Sequence, residues 1–212
     1  MTGEARVTTD RRLNRRTLIA LAVGGALFAD RAAAKVVLGD DGNYAQDWYL
    51  DSFLDLTEDA EAAKAKGKRF AVQWGMRGCP ACKRLHTTYF ADPKIESFVR
   101  EKFEIVHLDT FGSREVKDID GAALGEKALA AKRAVRTTPT IQFFASEGGL
   151  TTEVARMPGL LGQEDFLAMF RFVDEGAYAR SSFEQWLKAR EAGCPLAPSE
   201  PYLFTGDCGS NR

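Results

Sequence analysis

The chain has 212 residues, of which 45% are hydrophobic, 10% aromatic and 28% charged. That is the make-up of one globular domain with extensions, and it excludes a disordered, collagenous or polytopic membrane protein. Lysine and arginine number 29 against 30 aspartate and glutamate, a formal charge of -1, so there is no bulk basic excess of the kind that marks non-specific nucleic-acid binding.

Residues 1–34 read as an export signal. Met1 to Arg16 is polar with five arginines, and Thr17 to Ala29 is an apolar run as long as a signal core and too short to span a bilayer. Ala32 and Ala34 meet the small-x-small rule, which puts the cut after Ala34, and Asn14-Arg15-Arg16-Thr17-Leu18-Ile19 resembles a twin-arginine signal. An uncleaved amphipathic helix is the alternative. Cleavage removes six basic and three acidic residues and leaves 23 against 27, a charge of -4. The expected location is the periplasm, where a cysteine pair can be a stable bridge or a working redox couple.

Residues 35–47 are mostly polar with two glycines and read as an N-terminal linker. Leu50, Phe53 and Leu54 recur at helical spacing, and an Ala, Glu and Lys run follows, predicting a helix over about 48–66 that Gly67 stops. Arg69 to Met76 is a short buried strand by its apolar content, and a helix starts at Cys79, with Pro80 in its first turn. Asp92-Pro93 caps and opens another helix that buries Ile95, Phe98 and Val99. Phe103 to Thr110 is the second strand, and an Ala-rich helix lies around Gly125 to Ala134. Thr140 to Ala145 and Thr151 to Met157 are antiparallel strands joined at Glu147-Gly148-Gly149. Helices over Gln163 to Glu175 and about Ser181 to Arg190 carry aromatic stripes that read as core. The expected fold class is α/β: a mixed sheet of central parallel strands plus an antiparallel hairpin, flanked by helices.

The four cysteines fall into two unlike pairs. Cys79-Pro80-Ala81-Cys82 follows a strand and opens a helix, where unpaired N–H groups and the positive end of the helix dipole favour a thiolate on Cys79. Cys82, one turn on, is placed to sit deeper and to attack a mixed disulfide held on Cys79. No metal site is expected, because a zinc site would need two further ligands and the chain offers only His86 and His107. Lys83 and Arg84 add positive charge or are plain surface, and His86 either faces the sulfurs or is an ordinary helix histidine. Sixty residues after Cys79, Pro139 stands at the entrance to a buried strand, where a cis Thr138–Pro139 bond would turn the chain tightly into the sheet.

The order strand, CPAC, helix, TTPT, strand, hairpin, Gly159 and terminal helix resembles the thioredoxin superfamily over about residues 48–176. The resemblance implies Cys79 as attacking thiol and Cys82 as resolving thiol, forming a redox-active disulfide without another cofactor. It also implies a cis Pro139 beside them, with the Thr138 backbone binding an extended substrate segment. Gly78 to His86, the insertion around Asp118 to Gly125 and the ending Phe172 to Tyr178 look like the periplasmic thioredoxins encoded with bacterial sulfur-oxidation genes. That implies a reductant of periplasmic protein thiols, recharged by an integral-membrane electron carrier. One position departs from the superfamily: where a buried carboxylate usually helps deprotonate the resolving thiol, this chain has Gln73, which leaves the base role to water or to His86.

The domain reading is thus 35–47 linker, 48–178 thioredoxin-like domain and 179–212 a C-terminal helix and tail. Cys194 and Cys208 lie in that tail among three prolines, where a bridge closing the loop would contribute about 3 kcal/mol in the chain-entropy model. The expected role is a structural disulfide, with a second redox couple as the alternative. No dimerisation domain is evident, so a monomer is expected. Competing functions are a disulfide oxidase or isomerase, or a copper(I) carrier or assembly chaperone using Cys79 and Cys82 as soft ligands.

Overall fold

A computed structural model describes residues 35–193. The expected signal segment and the expected Cys194–Cys208 bridge lie outside the described residues. The chain begins with a small antiparallel hairpin, β1 (Val36–Leu38) and β2 (Tyr44–Gln46), where the sequence suggested a linker. Gly42 takes the left-handed conformation in its turn (φ 78°), and the Gly39 N–H donates to the Asn43 carbonyl across it. Asn43 and Gln46 are buried, so the hairpin is packed structure and not a tether.

Helix α1 (Leu56–Ala65) is shorter than the predicted 48–66. Asp55 is its N-cap and accepts from the N–H groups of Thr57 and Glu58, a stop signal that fixes the helix start there. Upstream, Leu54 sits at φ 64° and the Leu50 N–H donates to the Ile105 carbonyl. Phe53, the middle member of the apparent helical repeat, is fully exposed. The spacing arises because Leu50 and Leu54 pack on one core while Trp48 and Tyr49 pack on another.

β3 (Arg69–Gly75) leads into α2 (Pro80–Arg84), which widens into a π-helical turn over Leu85–Tyr89. The Phe90 N–H reaches back to the Leu85 carbonyl at 3.0 Å to close that turn. α3 (Pro93–Lys102) follows with Asp92 as N-cap, then β4 (Phe103–Asp109). A second hairpin, β5 (Glu115–Lys117) with β6 (Ala123–Gly125), precedes α4 (Glu126–Lys132). β7 (Thr140–Glu147) and β8 (Leu150–Pro158) form the antiparallel pair, and α5 (Gln163–Asp174) and α6 (Phe183–Glu191) end the described chain.

The main sheet has strand order β4-β3-β7-β8, with β3 and β4 parallel and the remaining neighbours antiparallel. Because side chains alternate along β3, Phe70, Val72 and Trp74 enter one core with α1 and α4. Ala71 enters the other, beneath α3, α5 and α6. Phe90, Phe103, Phe143, Phe166 and Phe170 meet in the second core largely edge to face, 4.9 to 6.5 Å between ring centres, the arrangement aromatic quadrupoles favour. The sheet therefore leaves the carboxyl end of β3 and the amino end of β7 side by side, and the cysteines stand there.

Candidate functional site

The site starts from a turn that only certain residues can make. After Gly75, Gly78 adopts φ 72°, a left-handed conformation that a side chain would strain. The turn ends in Cys79 as N-cap of α2, with Pro80 at the first helical position. Cys79 and Cys82 are joined as a disulfide with 5.2 Å between their Cα atoms. Both are buried, 6% and 3% exposed, yet only Cys79 borders the open groove beside them. The Cys82 N–H donates to Cys79 Sγ at 3.0 Å. From the opposite side, across 59 residues of chain, the Thr138 hydroxyl donates to the same sulfur at 3.3 Å, with the Thr138 carbonyl oxygen 3.6 Å away. The Thr138–Pro139 peptide is cis. Two donors converging on one sulfur stabilise negative charge there when the disulfide opens.

Gln73 and His86 stand differently. Gln73 is fully buried, and its Nε2 donates to the Trp74 carbonyl at 2.8 Å. His86 is fully buried one helical turn beyond Cys82. Its hydrogen-bonding and ring contacts go to Gln46, Tyr44, Tyr49 and Phe90, not to either sulfur. Burial, with His107 adding to it, pushes the His86 pKa down to about 3, so the ring is neutral wherever thiol exchange runs. His86 thus anchors the β1–β2 hairpin to α2. Lys83 and Arg84 close the last turn of α2, and the Arg84 guanidinium lies over the Tyr89 ring.

Sequence reasoning did not place His107 beside Gln73. The two are register partners on β4 and β3, and a Cβ at Gly75 would stand 2.8 Å from His107 Nε2 and 3.3 Å from Gln73 Nε2. Gly75 is what leaves room for the imidazole. Burial lowers the His107 pKa as well, and the Arg114 charge adds to it. The signal was the parallel register of the two apolar runs, which single-strand periodicity does not carry. Among the described residues no group of three or more His, Cys, Asp or Glu gathers as a metal site, and no helix is long and apolar enough to cross a membrane.

A cystine at a helix start, with one sulfur bordering a groove and the other covered, on this fold supports the class of thiol–disulfide oxidoreductases. The lineage is definite. The chain belongs to the thioredoxin-like domain family, whose model matches residues 56–174, a span that holds both cysteines and Pro139. Among solved structures it is similar to a thioredoxin-fold protein from Helicobacter pylori (24% identity, TM-score 0.48, covering 59% of this chain and 81% of that one). A thioredoxin from Thermus thermophilus is also similar (26% identity, TM-score 0.43, 55% and 82%). No curated protein matches the chain in sequence.

Proposed function

We propose that the protein is an exported thiol–disulfide oxidoreductase that reduces protein disulfides in the periplasm. Cys79 is the attacking thiol and Cys82 the resolving thiol, and the Thr138–Pro139 segment holds an extended stretch of substrate. The carrying observation is the convergence of the Cys82 N–H and the Thr138 hydroxyl on Cys79 Sγ, which favours the thiolate of the groove-side cysteine over that of its covered partner. In the reductive direction the Cys79 thiolate attacks a substrate disulfide. A bond forms between Cys79 and one substrate sulfur, and the other substrate sulfur leaves as a thiolate that is protonated. The Cys82 thiolate then attacks Cys79 and releases the second substrate thiol, so one disulfide is exchanged for another.

Reductive direction, recharging by an integral-membrane electron carrier and service in sulfur oxidation are what the resemblance carried by residues 78–86, 118–125 and 172–178 implies. The test is insulin reduction by dithiothreitol with wild-type protein and with Cys79→Ser, alongside the reduction potential of the Cys79–Cys82 couple. Catalysis that is lost in Cys79→Ser, with a potential near that of reducing thioredoxins, about -270 mV, supports the reading. A potential near about -120 mV makes the protein an oxidase. No catalysis with stoichiometric copper(I) uptake makes it a carrier.

A further inference from the structure

Beside Cys79 lies an open groove of about 560 Å³, within the size range of ligand sites. Its floor is apolar, from Ala130 and Val135, and it runs from Cys79 and Thr138 to Phe111. Phe111 is 67% exposed and borders the groove. Its backbone is firmly held. The Phe111 N–H donates to Asp109 Oδ1 at 2.8 Å, and the Gly112 carbonyl accepts from the Lys127 N–H at 3.1 Å. Buried Glu126 accepts from the N–H groups of Asp109 and Arg114. An exposed ring on a turn fixed in this way meets a partner without first paying an ordering cost.

The groove's charge is one-sided. Lys127 and Arg136 line it, both exposed and, among the described residues, in no ion pair, and no acidic residue is among those that line it. Of the cations near Cys79 in sequence, Arg77 donates to the Asp41 carbonyl and the Arg84 guanidinium lies over the Tyr89 ring, so Lys127 and Arg136 carry the charge of the groove. A chain that carries net negative charge overall thus presents, beside its reactive sulfur, a partly apolar groove lined by two cations and no acid. Such a face steers and retains anionic partners.

Resting on the exchange function proposed above, we infer that this groove selects protein substrates whose disulfide cysteine is flanked by an apolar side chain and by carboxylates. The apolar residue packs on Phe111 and Val135, and the carboxylates meet Lys127 and Arg136.

The test uses reduced full-length protein and three peptide disulfides, the symmetric dimers of Glu-Leu-Cys-Glu, Lys-Leu-Cys-Lys and Ser-Leu-Cys-Ser, with glutathione disulfide as a small anionic comparison. Second-order reduction rates are read at low and high salt. The expected result is an acidic-over-basic preference of about tenfold at low salt that shrinks as salt is raised and inverts in Lys127→Glu/Arg136→Glu. Phe111→Ser is expected to slow the acidic peptide severalfold. Equal rates for acidic and basic peptides, with the uncharged peptide reduced, overturn the selectivity and leave exchange standing. Glutathione disulfide reduced as fast as the acidic peptide replaces the peptide segment with a small anion as occupant. If wild type reduces none of the peptides and no insulin, the exchange function itself fails and takes this inference with it.

Discussion

Thr138 contributes two different things to Cys79, a backbone carbonyl 3.6 Å from the sulfur and a hydroxyl donor at 3.3 Å. The donor matters only when the sulfur carries charge. A hydrogen bond to a charged group is worth about 1.5 kcal/mol or more, so in Thr138→Val the thiolate fraction of Cys79 near neutral pH should fall about tenfold. The thiolate absorbance of reduced protein titrated against pH checks this, and an unchanged titration would contradict it. His86 acts through stability instead. Its folded value of about 3 lies below the 6.5 of the unfolded chain. Above 6.5 the ring is neutral in both states; below it, the unfolded chain takes up a proton that the folded one refuses. Stability attributable to His86 is therefore intact above 6.5 and falls by about 1.4 kcal/mol per pH unit as pH drops toward 3. Urea unfolding of His86→Gln between pH 6 and 4 should show a slope flattened by about one proton. The pH profile of mixed-disulfide resolution should be unaltered in the same variant, because the ring touches neither sulfur.

At the scale of elements, the second hairpin is tied to the helix after it chiefly by one buried carboxylate, with Asp120 adding an exposed one on Lys132. Asp118 on the β5–β6 turn is fully buried, and it accepts from Lys132 Nζ at 2.7 Å and from both Nε and Nη2 of Arg133. Burial alone would raise its pKa, but these hydrogen bonds outweigh that and lower it. Asp118→Asn removes the buried anion that two cations share and leaves Lys132 with Asp120 and Arg133 with the more distant Glu153. It should cost about 2 kcal/mol, less than a fully buried pair because Lys132 is partly exposed; urea or thermal unfolding measures it. The elements legible in the sequence were those with a long apolar run or a capping residue. β3, β4 and β7 announced themselves by buried runs, β8 by the Glu147-Gly148-Gly149 turn before it, and α3 by Asp92-Pro93. The two hairpins did not, since each of their strands is three residues long and β1 and β5 show mostly exposed side chains. The segment 48–55 misled for a related reason: residues that alternate between two cores imitate a helical period. Cys79, Cys82 and Pro139 were legible because their chemistry is tied to local motifs. The His107–Gln73 pairing and the groove wall at Phe111 were not, because both depend on which strands and loops become neighbours.

Across the whole molecule, one sheet separates two cores, and α6 closes the outer margin of the larger one. Trp186 is fully buried there, with Phe172 and Phe183 within 5.6 and 6.1 Å and its indole N–H donating to Glu175 at 3.2 Å. Truncation should be expensive: Trp186→Ala is expected to lose about 3 to 5 kcal/mol in equilibrium unfolding, while a loss below about 1 kcal/mol would show that α6 is peripheral to the fold. The same sheet positions the chemistry, because the parallel pairing of β3 with β4 and the antiparallel pairing of β3 with β7 bring residue 79 against residue 138. The central claim is that Cys79 attacks and Cys82 resolves. Its most direct test is to incubate reduced Cys82→Ser protein with a substrate disulfide and map the trapped adduct by mass spectrometry. The expected result is a stable mixed disulfide on Cys79 that wild type does not accumulate; an adduct on another cysteine, or none while Cys79→Ser still reduces insulin, would contradict it.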